Sequence, residues 1–271
     1  MNAATMNARV DGIARDRSRT RNARTLTLLL GLAFVAATVY AIVIKDTDWT
    51  RLSIGGIATT LGRFAEFDVS MLPGLVDPTI DTALMATLAT FLGLFLALPV
   101  AWLGARNITP LGRASYVFGR CLMTLSRSVH EIIWGLIFVS AVGLGVLAGV
   151  LAMAVRSIGF ISKVIAEAIE DVQPGPLEAI RAVGGNKFQV LWYGIVPQVL
   201  PVVLGTVIFE WDINIRRSTI MGLVGAGGLG LVLFRQMARS NYGGVATVLL
   251  AVLALIILGE VISHYARKAI I

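Results

Sequence analysis

The sequence predicts an all-α integral membrane protein of about six transmembrane helices, and three observations carry that prediction. Of 271 residues, 56% are hydrophobic and only 14% charged, against about 25% charged in a soluble domain. Several apolar runs reach the roughly 20 residues a helix needs to cross a bilayer. No alternating segments of about ten residues recur, as a spanning barrel would require. The net charge of +7 could suggest nucleic acid, but the positive-inside rule explains it better.

Residues 1–24 form a basic tail, with Arg9, Arg15, Arg17, Arg19, Arg21 and Arg24 against Asp11 and Asp16, and are expected in the cytoplasm. Residues 25–44 form the first span. That run is too long for the apolar part of a signal peptide, and no small-x-small cleavage site follows it, so it reads as a retained anchor. Residues 45–81 set Lys45, Arg51 and Arg63 against Asp46, Asp48, Glu66, Asp68, Asp77 and Asp81. This net acidic stretch reads as extracytoplasmic. Within it LSIGGIATTLGRFAEF suits a short helix along the membrane surface, and Pro73 and Pro78 are expected to break any long one.

A core over residues 82–264 follows. Its first span, Thr82–Leu103, returns inward to a loop carrying Arg106, Arg113 and Arg120 and no acid. The middle allows two readings. Ile132–Val155 carries no charge and could be one span. Alternatively Ser115–Val142 and Val146–Ala168 are two, divided at Gly143-Leu144-Gly145, which puts Arg127, His130, Glu131, Arg156 and Lys163 at or near membrane depth. A fifth span is expected over Tyr193–Ile213 and a sixth over Val245–Ile262. Residues 265–271, with Arg267 and Lys268, form a second basic tail. The single Cys121 excludes an internal disulfide and reads as a small apolar filler.

A polar island, Pro174–Pro197, interrupts this apolar pattern within a loop at 171–192. Gly175 suits an N-cap, Pro176 the first helical turn, and Glu178 the third position, where a carboxylate meets the positive helix end. Gly184-Gly185 supplies a left-handed stop. Asn186 followed by Gln189 resembles a capping box that opens a second helix, which Pro197 and Pro201 should bend. A helix, a sharp turn and a helix entering the membrane follow; a plain hairpin between spans is the alternative.

Glu178-Ala179, Gly184 and Pro197 stand at the spacing of the cytoplasmic loop of type I ABC importer permeases, and the chain resembles that family. Gly194 replaces a usual branched apolar residue and Val196 a usual Leu. The run Tyr193–Pro201, the segment Asp212–Gly230, Ala105-Arg106-Asn107 and Arg127–Glu131 are similar to the phosphonate-transport permeases within it. Trp211 and Asp212 replace Phe and Glu there, His130 replaces Pro, and Arg156 stands where His is common. The resemblance implies a type I ABC importer (MetI-like) core with one extra N-terminal helix, in a bacterial inner membrane with both chain ends cytoplasmic. It selects the two-span middle, because the loop must face a cytoplasmic ATPase. It also implies a coupling helix whose contacts with the ATPase come from Pro176, Leu177, Glu178, Ala179, Arg181, Ala182, Gly184 and Lys187. The implied partners are a second copy of the chain, two ABC ATPase subunits, an extracytoplasmic substrate-binding protein and membrane lipid, with no nucleic acid. The cargo implied is phosphonate or a related oxyanion such as phosphate or phosphite. Methionine or another small solute on the same architecture, or an ATP-independent carrier, are the alternatives.

Asp212, Asn214, Gly225, Gly227 and Gly228 are candidates for the translocation path or its gate, together with Arg127, Arg216 and Arg217. Guanidinium groups suit phosphate-like oxygens through paired N–H bonds. The competing reading is that they pair with Glu131, Glu210 or Asp212, or snorkel to the interface. Gly225–Gly230 fits G-x-G-x-x-G, but no strand precedes it, so close backbone packing or a re-entrant turn is expected instead of a dinucleotide site. His130 and Glu131 are adjacent and point apart on a helix, so a metal site is not expected. No triad and no phosphate-binding P-loop occur. The chain is therefore expected to be a transport subunit without cofactor, with ATP and Mg held by the partner ATPase.

Overall fold

The computed structural model describes residues 24–45 and 54–270. Arg9 to Arg21 of the basic tail, and Asp46, Asp48 and Arg51 of the following segment, lie outside the described residues. The chain divides into two compact units, Met1–Leu61 and Gly62–Ile271. In the first, helix α1 (Arg24–Ile44) is long and apolar enough to span a membrane. Its side chains are exposed along its whole length, as suits a helix solvated by lipid. Helix α2 (Ile54–Phe64) follows where the short helix was expected.

The second unit opens with a 3-10 turn, Val69–Leu75, whose Asp68 cap accepts from the Ser70 backbone N–H at 3.2 Å. Helix α3 (Val76–Gly104) then begins six residues before the expected Thr82. Pro78 does not break it. It stands in the first turn, where helix N–H groups have no partner to lose, so it helps to start the helix.

Helices α4 (Arg113–Ser128) and α5 (Glu131–Val142) correct the expected straight span Ser115–Val142, because they are bent by 91° at Val129-His130. Both residues at the break are extended, and the His130 ring accepts from the Ile132 N–H at 3.3 Å. Arg127, His130 and Glu131 thus sit at a helix break, while Arg120 stands in the middle of α4. Gly143 and Gly145 end α5 and start α6 (Val146–Glu170), as the two-span reading requires.

After α6 come α7 (Pro174–Ala182) and α8 (Lys187–Gln189). A π-helical turn, Val190–Ile195, leads into α9 (Val196–Met221). This long element corrects the expected end at Ile213. Its charges do not terminate it, because Arg216 and Asp212 neutralise each other one turn apart at 2.9 Å. The departure from α-geometry falls in the turn before Pro197. A second 3-10 turn, Gly222–Val224, joins the 11-residue α10 (Gly228–Ala238), and α11 (Tyr242–Ile270) closes the chain. It runs through the residues expected to form a separate tail. Among the described residues five helices are long and apolar enough to span a membrane, or six if the bent α4–α5 pair counts as one.

The centre of this unit is α3 against α6. Ala86, Ala89, Gly93, Ala97, Ala101 and Gly104 form the buried stripe of α3. A Cβ on Gly93 would stand 2.7 Å from that of Ser157 on α6. Small residues let helices approach closely where lipid gives no hydrophobic drive between them. The opposite stripe, Leu84, Leu88, Phe91, Phe95, Leu98 and Trp102, is exposed and suits lipid.

Candidate functional site

The loop at 171–192 is built as a short helix locked onto the foot of a long one. Gln173 precedes α7 as its N-cap position, so the helix starts at Pro174, two residues earlier than the sequence suggests. Its backbone N–H donates to Gln198 Oε1 at 3.0 Å, and Gln198 Nε2 donates to the Gly194 carbonyl at 2.8 Å. These bonds tie the start of α7 to the start of α9. At its other end Gly184 adopts φ +86°, and the Gly185 N–H closes on the Ile180 carbonyl at 2.9 Å. The capping box is present in both directions: Gln189 N–H to Asn186 Oδ1 at 2.9 Å, and Asn186 N–H to Gln189 Oε1 at 2.8 Å.

Leu177 alone of the expected coupling residues is buried. Pro176, Glu178, Ala179, Arg181, Ala182, Gly184 and Lys187 are exposed, and beside them Val183 presents an apolar side chain at 85% exposure. A Cβ on Gly194 would lie 3.3 Å from Ile180 Cδ1 and 3.4 Å from Leu177 Cδ1. The missing side chain at Gly194 therefore lets α7 seat closely on the π-helical turn. Behind α7 a hollow of about 690 Å³ is lined by Trp102, Ile108, Pro110, Arg181 and Phe188 among others.

A second cluster lies inside the helix bundle. Glu210 is fully buried, and its Oε1 accepts from Ser157 Oγ at 2.8 Å and from Arg217 Nη1 at 2.8 Å. Asn214 Nδ2 donates to Thr90 Oγ1 at 2.9 Å and to Ser157 Oγ at 3.0 Å, while Asn214 Oδ1 accepts from Arg217 at 3.2 Å. Glu131 faces Arg217 at 3.7 Å and Arg156 at 3.6 Å. Arg216 is held by the buried Asp212 one turn earlier on the same helix. The structure thus brings Asp212, Asn214, Arg216 and Arg217 onto α9 with acids beside both arginines, as the ion-pair reading expects. Glu210, Ser157, Thr90 and Glu131 complete the network and were not among the expected path residues. Glu210 and Arg217 stand seven residues apart, two helical turns, and that spacing was the available signal.

Arg127 is elsewhere. It lines a hollow between α4 and α6 and makes no ion pair among the described residues. The glycine run lies at the far end of α9. Gly225, Gly227 and Gly228 have φ of +87°, +91° and +65°. The Gly225 carbonyl accepts from the Gly145 N–H at 3.1 Å, and the Leu229 N–H donates to Thr82 Oγ1 at 2.9 Å. These glycines reverse the chain between α9 and the short α10, and among the described residues no strand precedes them. His130 caps α5 and its Nδ1 also lies 3.9 Å from Glu131 Oε2, which corrects the expectation that the two point apart; Glu131 extends from there to Arg156 and Arg217.

Comparison with known proteins places this architecture. A phosphite transport system permease protein of Stutzerimonas stutzeri is 42% identical over 225 residues, 82% of this chain and 81% of that one. A phosphate-import permease protein of Mycolicibacterium smegmatis is 36% identical over 191 residues, 70% of this chain and 36% of that longer one. Among solved structures, an inward-facing MetNI methionine ABC transporter matches with a TM-score of 0.66 at 24% identity, over 76% of this chain and all of that one; the likeness is one of fold. The family model for binding-protein-dependent transport system inner membrane components matches residues 87–271. The chain belongs to that family, as a multi-pass permease subunit of a type I ABC importer.

Proposed function

We propose that this permease imports a phosphorus oxyanion: phosphite, phosphonate or phosphate. The observation that carries the reading is the 42% identity to a phosphite permease over most of both chains. Two copies form the passage, two cytoplasmic ATPase subunits hold ATP and Mg, and an extracytoplasmic receptor delivers the anion. Both chain ends lie in the cytoplasm. Helix α7 is the coupling helix, with Pro176, Glu178, Ala179, Arg181, Ala182, Gly184 and Lys187 toward the ATPase and Leu177 anchoring it from behind. Asp212, Asn214, Arg216 and Arg217 together with Gly225, Gly227 and Gly228 act at the gate, and Arg127 on the path. ATP-driven closure favours one conformation of the permease over the other, and that difference in affinity drives alternating access.

The test is uptake by the assembled importer with its cognate receptor in proteoliposomes. ATP-dependent uptake of phosphite, phosphonate or phosphate is the expected result. Uptake of methionine without any phosphorus oxyanion overturns the cargo reading. Uptake that persists without the ATPase overturns the ATP-driven one.

A further inference from the structure

The hollow between α4 and α6, about 270 Å³, is lined by Arg120, Arg127, Arg156 and Lys163, with Met123, Thr124 and Ser128, and by no acid. The four cations stand in register. Arg120 and Arg127 are seven residues apart on α4, and so are Arg156 and Lys163 on α6. Seven residues make two helical turns, about 10 Å of rise on nearly the same face. The two helices run antiparallel here. Ser126 Oγ donates to the Val155 carbonyl and accepts from the Gly159 N–H at 3.0 Å, while Arg120 reaches Glu170 near the other end of α6 at 2.8 Å. One rung is therefore Arg127 with Arg156, near the middle of α6. The other is Arg120 with Lys163, two turns toward the loop that carries α7. Gly159 makes room for the outer rung, since a Cβ there would lie 2.7 Å from Arg127 Cγ.

The counter-ions stand at the ends of this ladder and outside its lining. Glu131 meets Arg156 at 3.6 Å at one end. At the other, Glu170 holds Arg120 at 2.8 Å, and Glu167 meets Lys163 at 3.6 Å and Arg120 at 3.8 Å. Arg127 has no counter-ion among the described residues. Charge at membrane depth is costly and marks ion pathways. Arg216 and Arg217 have carboxylates at 2.9 Å and 2.8 Å, and Arg120 has Glu170 at 2.8 Å, so Arg127 is the cation of the hollow that is free to meet an anion first.

We propose that this hollow is a two-rung oxyanion subsite on the transport path, an inference that rests on the cargo reading above. Arg127 and Arg156 receive a tetrahedral phosphorus oxyanion through paired N–H bonds. Arg120 and Lys163 receive it next, on the side of the coupling helix. Glu131, Glu167 and Glu170 reclaim the cations as the anion leaves, which keeps each rung weak enough to release it.

The test uses the assembled importer with its receptor in proteoliposomes of neutral lipid, with inorganic phosphite and phosphate as probes. Uptake and ATP hydrolysis are read together, and assembly is read by co-purification of the ATPase. Arg127→Gln is expected to raise the ATP hydrolysed per anion taken up by about tenfold, as for loss of one charge-assisted contact. Arg127→Lys restores most of the uptake, and Lys163→Gln raises the same ratio. A parental ratio in both Arg127→Gln and Lys163→Gln overturns the subsite. So does a loss of uptake and hydrolysis together in Arg127→Lys, which marks a structural role. If Arg127→Gln does not co-purify, Arg127→Lys and Lys163→Gln decide. A parent importer that hydrolyses ATP with its receptor and moves no phosphorus oxyanion overturns the cargo reading instead.

Discussion

At the scale of single residues, the most exacting demand on this chain is the burial of Glu210. Its Oε1 has two donors, Ser157 and Arg217, and its Oε2 has none among the described residues. Breaking a buried ion pair leaves an uncompensated charge, which is worse than never having had the pair. Arg217→Met leaves Glu210 with Ser157 and no cation, while Glu131 keeps Arg156 at 3.6 Å, and we expect it to cost about 3–5 kcal/mol. Glu210→Gln should cost less, because Arg217 keeps Glu131 at 3.7 Å and the amide oxygen still accepts from Ser157. Denaturant unfolding of the detergent-solubilised permease measures both. An Arg217→Met variant as stable as the parent, or more stable than Glu210→Gln, contradicts the assignment. The arginine and three alternative acids, Glu131, Glu210 and Asp212, are legible in the sequence, but the network is not. Ser157 lies 53 positions from Glu210, and Thr90 lies 124 from Asn214. Only helix packing brings them together, and no local pattern encodes it.

At the scale of elements, the loop that carries α7 was read from sequence almost whole, and the bent α4–α5 pair was not. The difference is physical. Gly184 at φ +86° and the Asn186–Gln189 box are local devices, each decided by residues within a turn of one another. The start of α7 slipped by two residues because the Gln173 N–H is tied to Gln198, 25 positions away. The break at Val129-His130 is shown by no Gly or Pro, and hydropathy averages over it. If the loop is fixed locally, its defects should stay local. Asn186→Ala removes a cap worth about 1 kcal/mol, and Gly184→Ala forces a Cβ into left-handed backbone at about 1–2 kcal/mol. Both should speed amide hydrogen exchange at Gly185 and Gln189 and leave the interior of α9 protected. Equal acceleration along α9 would mean that the loop and the long helix open as one unit.

At the scale of the whole molecule, the charge pattern and the helix lengths together predict a sidedness that can be measured. Helix α9 and the helical turns before it run unbroken from Lys187 to Met221 and on to Val224, long enough to cross the bilayer. Helix α10 has 11 residues, about 16 Å at 1.5 Å per residue, against a hydrocarbon core of about 30 Å. It cannot cross back, so Arg239 after it stays on the side that α9 has reached. Helix α11, with 29 residues, is long enough to cross back, and the proposed orientation puts its Arg267 and Lys268 in the cytoplasm, as the positive-inside rule expects. Val183, beside α7, must then lie on the side of those basic residues and Arg239 on the other. In a Cys121→Ser background, a membrane-impermeant maleimide should label Arg239→Cys in intact spheroplasts and Val183→Cys only in inverted vesicles. Both positions are exposed in the permease chain, so in membranes carrying the permease without its partners access to label depends on the side of the membrane and not on burial. Labelling of Val183→Cys from outside would turn the coupling loop away from any cytoplasmic ATPase and overturn the orientation on which the ATP-driven mechanism depends.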